Sequence, residues 1–483
     1  MISSAGQQRG PFARELSSPD GPEPHICYLY GLMRLAIFAF PLSLLAQTFT
    51  VDQAVATALE KYAGVRVSSE KVTGAAQAIN LARTAYLPQA DFLAQANRAT
   101  RNNVFGMVLP QSTLPAISGP PLAANSMTNV WGTAVGFLVS WEPFDFGLRA
   151  AKVNVAAAHQ RSAEAALTRT KFEIAAGTAD GFLTVLAAEQ TVKAAAAAVA
   201  RAKTLEEIAA AQVRAELRPG VDLTRTRAER AIAEAQQIQA EQAVAMAKAS
   251  LSQFVMTPEF TASPGALLDT PPAAILAPAG LRAHPLARER SAAVEAAQAQ
   301  QKTLEKAYYP KFNLQGSTYA RGTGANANGT TGGTLAGLGP NIVNWGAGLT
   351  VTFPAMALPG LRIQRGIDAS QTRGEQLRLE QTVQDLAAQL ARANAQLTGA
   401  RRLVDKIPAQ IEAARAAETQ ATARYKAGLG TIVEVADAQR LLAQTEIDES
   451  LAKLAIWRAM LAVSAAQGDI EPFLKAAAGA SRN

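Results

Sequence analysis

Few residues in this chain of 483 are spaced so that they could do chemistry. Glu434 and Asp437 stand three apart in a helical pattern, which puts two carboxylates on one helix face. Thr431-Ile-Val-Glu434 is also a capping box, so Glu434 has a second reading as a helix-start residue. Outside these two carboxylates no convincing acid/base pair occurs. His159 and His284 stand isolated and read as surface residues. One cysteine, Cys27, and three histidines give no Cys/His set for a dedicated metal site and no disulfide framework. The Gly322 to Asn341 segment is rich in Gly, Asn and Thr, but it holds neither a P-loop nor a G-x-G-x-x-G fingerprint, and it reads as an external loop. No nucleophile elbow and no H-E-x-x-H occurs. The expectation is a protein without enzymatic activity and without a cofactor or metal.

Charge and composition narrow the class further. The net charge is +7, from 46 Lys and Arg against 39 Asp and Glu. The two signs are interleaved along helical patterns without aromatic platforms, which describes a solvated helix surface and not a nucleic-acid interface. The chain is 49% hydrophobic but only 6% aromatic. Its apolar content is carried largely by alanine, which suits long, closely packed helices better than several globular cores.

The elements that would position Glu434 and Asp437 are written twice. Ala85-Tyr86-Leu87-Pro88 recurs as Ala307-Tyr308-Tyr309-Pro310, and the Val213 to Leu223 stretch lines up with Tyr425 to Val435. A first repeat is expected over 47–257, with helix 52–87, strands about 89–101 and 131–142, a long helix 147–215 and a helix 220–256. A Pro-rich linker follows at 258–280. The second repeat is expected over 281–470, with helix 282–308, strands about 311–322 and 342–353, a long helix 361–426 kinked at Pro408, and a helix 431–466. Residues 471–483 read as a tail. Phe172, Ala176, Ala179, Leu183 and Leu186, like Leu379, Val383, Leu386, Leu390, Ala393 and Leu397, step by three and four, the spacing of coiled coils.

Residues 1–46 read as a leader. Met33-Arg34 followed by a short apolar run to Ala46 is a signal-peptide pattern, so the expected start is Met33 and the expected mature terminus lies near Gln47. Downstream no run of 18 uninterrupted apolar residues occurs. The four strand segments alternate apolar residues with small or polar ones over about ten residues, the pattern of a membrane-spanning barrel. Trp131, Trp141 and Trp345 sit at or near strand ends, where an aromatic girdle belongs. Arg98 and Lys311 are read as satisfying barrel polarity. Four strands cannot close a barrel, and an open edge in lipid is costly, so the chain must oligomerise. Three copies would give twelve strands and a hollow interior.

The sequence resembles the TolC family of outer-membrane efflux and secretion proteins. The resemblance rests on Thr50 to Leu59, the Tyr86-Leu87-Pro88 that leads into the first strand, Trp141-Glu-Pro-Phe-Asp-Phe-Gly147, and Tyr425 to Gln439, all in the family's order and duplicated. It implies a mainly α fold with a membrane β-barrel part: a homotrimer with a 12-stranded barrel in the outer-membrane lipid and a periplasmic α-helical barrel. It also implies passive transport with a periplasmic adaptor and an inner-membrane transporter as partners. By the same resemblance, Ala215, Glu216 and Leu217, and Ala427, Gly428 and Leu429, form the adaptor-contacting tips, with Glu216 standing where the second tip has Gly428. Glu434 and Asp437 match a carboxylate ring in the aperture. Asp222 and Tyr425 match contacts that close it; the family's arginine partner often stands at Gly430, and Arg218 is the candidate substitute here. The alternative is a soluble periplasmic coiled-coil scaffold with a wet β-domain.

Overall fold

The computed structural model describes residues 47–100, 127–268, 280–326, 330–353 and 355–480. The expected leader, most of the 102–129 connection and Pro271, Pro272 and Pro278 lie outside the described residues. In chain order the elements are β1 (Gln47–Phe49), α1 (Val51–Lys61), α2 (Ala63–Thr84), β2 (Gln89–Thr100), β3 (Asn129–Trp141), α3 (Leu148–Arg214), α4 (Gly220–Val255), β4 (Phe260–Ala262), α5 (Pro285–Lys306), β5 (Lys311–Thr323), β6 (Ile342–Thr352), α6 (Leu358–Val404), α7 (Ile407–Lys426), α8 (Ile432–Gln467) and α9 (Glu471–Ala480). Helix, two strands, long helix, helix therefore occurs twice, and the fold is mainly α with an internal duplication.

Alanine sets how closely the long helices approach. Ala195, Ala202 and Ala209 are buried at seven-residue steps on α3, as are Thr226, Ala233, Ala240 and Ala247 on α4. Leu386, Ala393 and Ala400 repeat the step on α6. A strict seven-residue repeat keeps one seam facing its neighbour along a supercoil, and small side chains on that seam let the backbones come close. The larger core residues collect elsewhere: Phe49, Phe182, Leu186, Leu251, Phe260, Trp457 and Phe473 form one buried cluster.

Four departures from the sequence reading have local causes. The helix expected over 52–87 is interrupted at Tyr62, which is extended (φ −65°, ψ 124°) and separates α1 from α2. The helix expected over 361–426 breaks at Asp405 and Lys406, so that Pro408 falls in the first turn of α7, where its missing N–H is harmless. The stretch 258–280 is not merely a linker, because β4 pairs in parallel with β1 and the Phe49 and Phe260 rings meet edge-on at 6.1 Å. Residues 471–480 are helix rather than tail; Phe473 is buried there against Trp457, 6.0 Å away and edge-on.

Strands β2, β3, β5 and β6 form one antiparallel sheet in that order, so the hairpins of the two repeats join through β3 and β5. Register separates its faces. Phe92, Phe137, Thr318 and Trp345 lie in one row across the four strands, and Trp141, Leu314 and Leu349 in another on the same face. Gln89, Ser140, Gln315 and Gly348 make a row on the opposite face. Nothing in the described chain covers the apolar face: Trp345 is 82% and Val343 76% exposed. By its register Lys311 belongs to the polar face, but Arg98 shares the face of Phe92, where its guanidinium lies 5.4 Å from the Trp131 ring centre. The Gly-rich loop folds back on the strand ends, with the Gly324 N–H donating to the Trp131 carbonyl (2.8 Å) and the Thr133 hydroxyl to that of Gly337 (2.8 Å).

At the base of the sheet, buried Arg149 ties strands to helices. It pairs with Asp145 at 2.9 Å, donates to the Ala85 and Glu142 carbonyls, and lies over the Tyr86 ring. Phe146 stacks on Tyr309 of the second repeat (4.9 Å).

His284 is not a surface residue. It caps α5 through Nδ1, which accepts from the Leu286 N–H (3.1 Å), and its Nε2 therefore carries the proton and donates to the Ala465 carbonyl near the end of α8 (3.1 Å). Gly468 (φ +81°) closes α8 against it; a Cβ there would come within 2.7 Å of the imidazole. Burial pushes the His284 pKa below its ordinary value, against smaller opposing effects of the Ala465 carbonyl and Glu173. A folded chain that refuses a proton accepted by the unfolded chain below about pH 6.5 loses stability as pH falls through that value toward the folded-state pKa. Thermal unfolding between pH 7.5 and 5 should show a smaller acid-side loss in His284→Asn, whose amide can still cap; an equal loss in both proteins would exonerate the histidine.

Candidate functional site

The two helix–helix turns expected as tips, after α3 and after α7, come together. Both use the same backbone device. After α3, the Leu217 N–H reaches back to the Gln212 carbonyl (2.9 Å) past Glu216 at φ +58°; after α7, the Leu429 N–H reaches the Arg424 carbonyl (2.8 Å) past Gly428 at φ +80°. This is the Schellman closure, which needs one left-handed residue. Ala215 and Ala427 cap the helices, and Leu217 and Leu429 project at equivalent positions, each 73% exposed.

Between the turns lies a polar cluster on an apolar bed. Tyr425, the last tyrosine of α7, is fully buried with Leu205, Ile432 and Val435. Its hydroxyl donates to Asp222 of α4 over a long 3.4 Å. Arg218 reaches across from the first turn: its Nη2 donates to the Gly430 carbonyl (2.9 Å) and the Tyr425 carbonyl (3.3 Å), and its guanidinium lies 4.9 Å from the Tyr425 ring centre. Burial lifts the Tyr425 pKa above its usual value and the Asp222 carboxylate adds to this, outweighing Arg218. The phenol thus keeps its proton and remains the donor. Asp222, Tyr425 and Arg218 are thereby brought together, and all four contacts join the first hairpin (α3, α4) to the second (α7, α8) within one chain.

Glu434 and Asp437 share an exposed side of α8 but are engaged separately. Thr431 caps α8, its hydroxyl accepting from the Glu434 N–H (3.4 Å) and donating to the Glu434 carboxylate (3.2 Å). Asp437 pairs with Arg440 at 3.1 Å, and Arg440 also reaches Glu229 of α4 at 3.1 Å. Sequence reading missed Arg440 and Glu229. The i, i+3 spacing of Asp437 and Arg440 was a usable signal; the contact with Glu229, 211 residues away, was not.

The left-handed conformation at Glu216 costs about 1 kcal/mol that Gly428 does not incur. Glu216→Gly should slow amide hydrogen exchange at Leu217 by about fivefold, the equivalent of that energy. Faster or unchanged exchange would show that the first turn carries no such strain.

The sequence model of the family described as Outer membrane efflux protein matches residues 55–255 and 281–469, one block in each repeat. The chain matches no curated protein sequence. Among solved structures, its fold is similar to that of the CmeC outer membrane channel of Campylobacter jejuni (14% identity, TM-score 0.71, 89% of each chain covered). It is also similar to the outer membrane protein VceC of Vibrio cholerae (15%, 0.68, covering 87% of this chain and 96% of that one). The open state of the MtrE outer membrane channel of Neisseria gonorrhoeae shares the fold at 18% identity (TM-score 0.65, covering 87% and 89%).

Proposed function

The chain belongs to the outer membrane efflux protein family and is an exit duct of the outer membrane with a periplasmic helical extension; we propose that it works as a trimer whose tips form a closable aperture. The observation that carries this reading is the apolar face of the sheet, uncovered among the described residues and suited to lipid contact, together with the outer edges of β2 and β6, which pair with no other strand among those residues. Backbone groups left open in hydrocarbon cost several kcal/mol each, so the edges of neighbouring copies must pair. Three copies supply twelve strands, enough for a hollow barrel, and repeat the long helices around the same axis.

On this reading cargo passes down the axis and no bond is made or broken. The periplasmic adaptor is met by the two turns, whose exposed Leu217 and Leu429 offer matched apolar contacts, and an inner-membrane transporter selects the cargo. Arg218, Tyr425 and Asp222 hold the two hairpins of each protomer together and keep the aperture narrow. Asp437 contributes negative charge to its rim, and Glu434 serves mainly its helix cap. The soluble-scaffold alternative gains nothing from an apolar sheet face left bare.

The protein should fractionate with outer membranes and require detergent for release; recovery in the soluble fraction would overturn the duct. In planar bilayers Arg218→Ala and Tyr425→Phe should raise single-channel conductance, with the larger rise for Arg218→Ala because it removes two carbonyl contacts and the ring contact. Wild-type conductance in both would remove the cluster from gating.

A further inference from the structure

We propose that Arg440 is a selectivity-determining residue of the duct, a counter-charge shared between Asp437 on its own helix and Glu229 on α4. The inference rests on the reading of the α8 tip as lining the aperture. One guanidinium nitrogen, Nη2, lies 3.1 Å from Asp437 Oδ1 and 3.1 Å from Glu229 Oε1. The Arg440 and Asp437 side chains are 55% and 61% exposed and face the same open side of α8, whereas Glu229 is largely covered. A single cation therefore offsets two carboxylates at the place where passing ions would meet them.

Exposed ion pairs of this kind add little stability, so the consequence of the arrangement is electrostatic. Rings of carboxylates favour cations in a pore. Arg440 stands well within the screening distance of about 8 Å at physiological salt and so weakens that preference. The two partners also differ in permanence. Asp437 is one turn away on the same helix and stays with Arg440 through any movement of α8. Glu229 belongs to the other hairpin, and is lost if the hairpins separate. Opening by hairpin separation then leaves the whole guanidinium to Asp437 and uncovers Glu229 without its counter-charge, while the three groups together keep one net negative charge.

The experiment is the reversal potential of the full-length trimer in planar bilayers under a potassium chloride gradient. Arg440→Gln should shift it toward the cation equilibrium potential, Asp437→Asn should shift it the opposite way, and Arg440→Lys should stay near wild type. Both shifts should shrink at about 1 M salt, where screening acts within about 3 Å. If Asp437→Asn shifts the potential and Arg440→Gln does not, the role of Arg440 is overturned while the aperture stands. If neither shifts it, the placement of the α8 tip at the aperture fails and the inference fails with it.

Discussion

An apolar sheet face that nothing among the described residues covers governs the rest of this structure. In water the row of Phe92, Phe137 and Trp345 and the exposed Val343 and Leu349 would be an aggregation surface. In hydrocarbon the same face is at rest, but the two outer edges of the sheet are not, because lipid offers no hydrogen-bond partner. Barrel closure between copies answers both demands. The polar row of Gln89, Ser140, Gln315 and Gly348 then faces inward, which makes the interior a wet passage rather than a packed core.

The helices inherit this symmetry and solve a different problem. A tunnel wall needs helices that pack sideways over a great length without converging on a centre. Seven-residue steps of alanine on α3 and α4 achieve this by packing along a seam. Among the described residues the larger core forms where β1, β4, α9 and the long helices meet, around Phe182, Trp457 and Phe473. The tips, furthest from both sheet and core, depend on a few polar contacts. On the proposed reading, a region held by Arg218, Tyr425 and Asp222 over a small apolar bed opens without disturbing the rest.

Much of this was legible in the sequence because it is periodic. The strand alternation, the three-and-four steps of the helices and the duplicated Tyr-Pro landmarks each reflect a repeating physical environment. What escaped was specified by single contacts between distant residues. Tyr62 breaks a helix with only Gly64 to announce it, where a Cβ would come within 2.7 Å of the Tyr62 ring. The short strand Phe260–Ala262 has meaning only against Gln47–Phe49, and Phe473 only against Trp457. His284 looked isolated because its partners are backbone atoms, one of them 181 residues away. At the tips, the substitution of Arg218 for an arginine at Gly430 could be suspected from sequence, but only the folded turns show that its hydrogen bonds end on carbonyls rather than on a carboxylate.

The duct depends on closure of a twelve-stranded barrel by three copies through β2 and β6. That closure is tested most directly by cysteine crosslinking in outer membranes, in a background with Cys27 replaced. A cysteine at Ala94 in β2 would be paired in turn with cysteines from Val343 to Val351 along β6, since the offset between copies is set by barrel shear. At least one pair should yield a covalent ladder that ends at three chains. A ladder that ends at two chains, or no crosslink across the whole series, would contradict it.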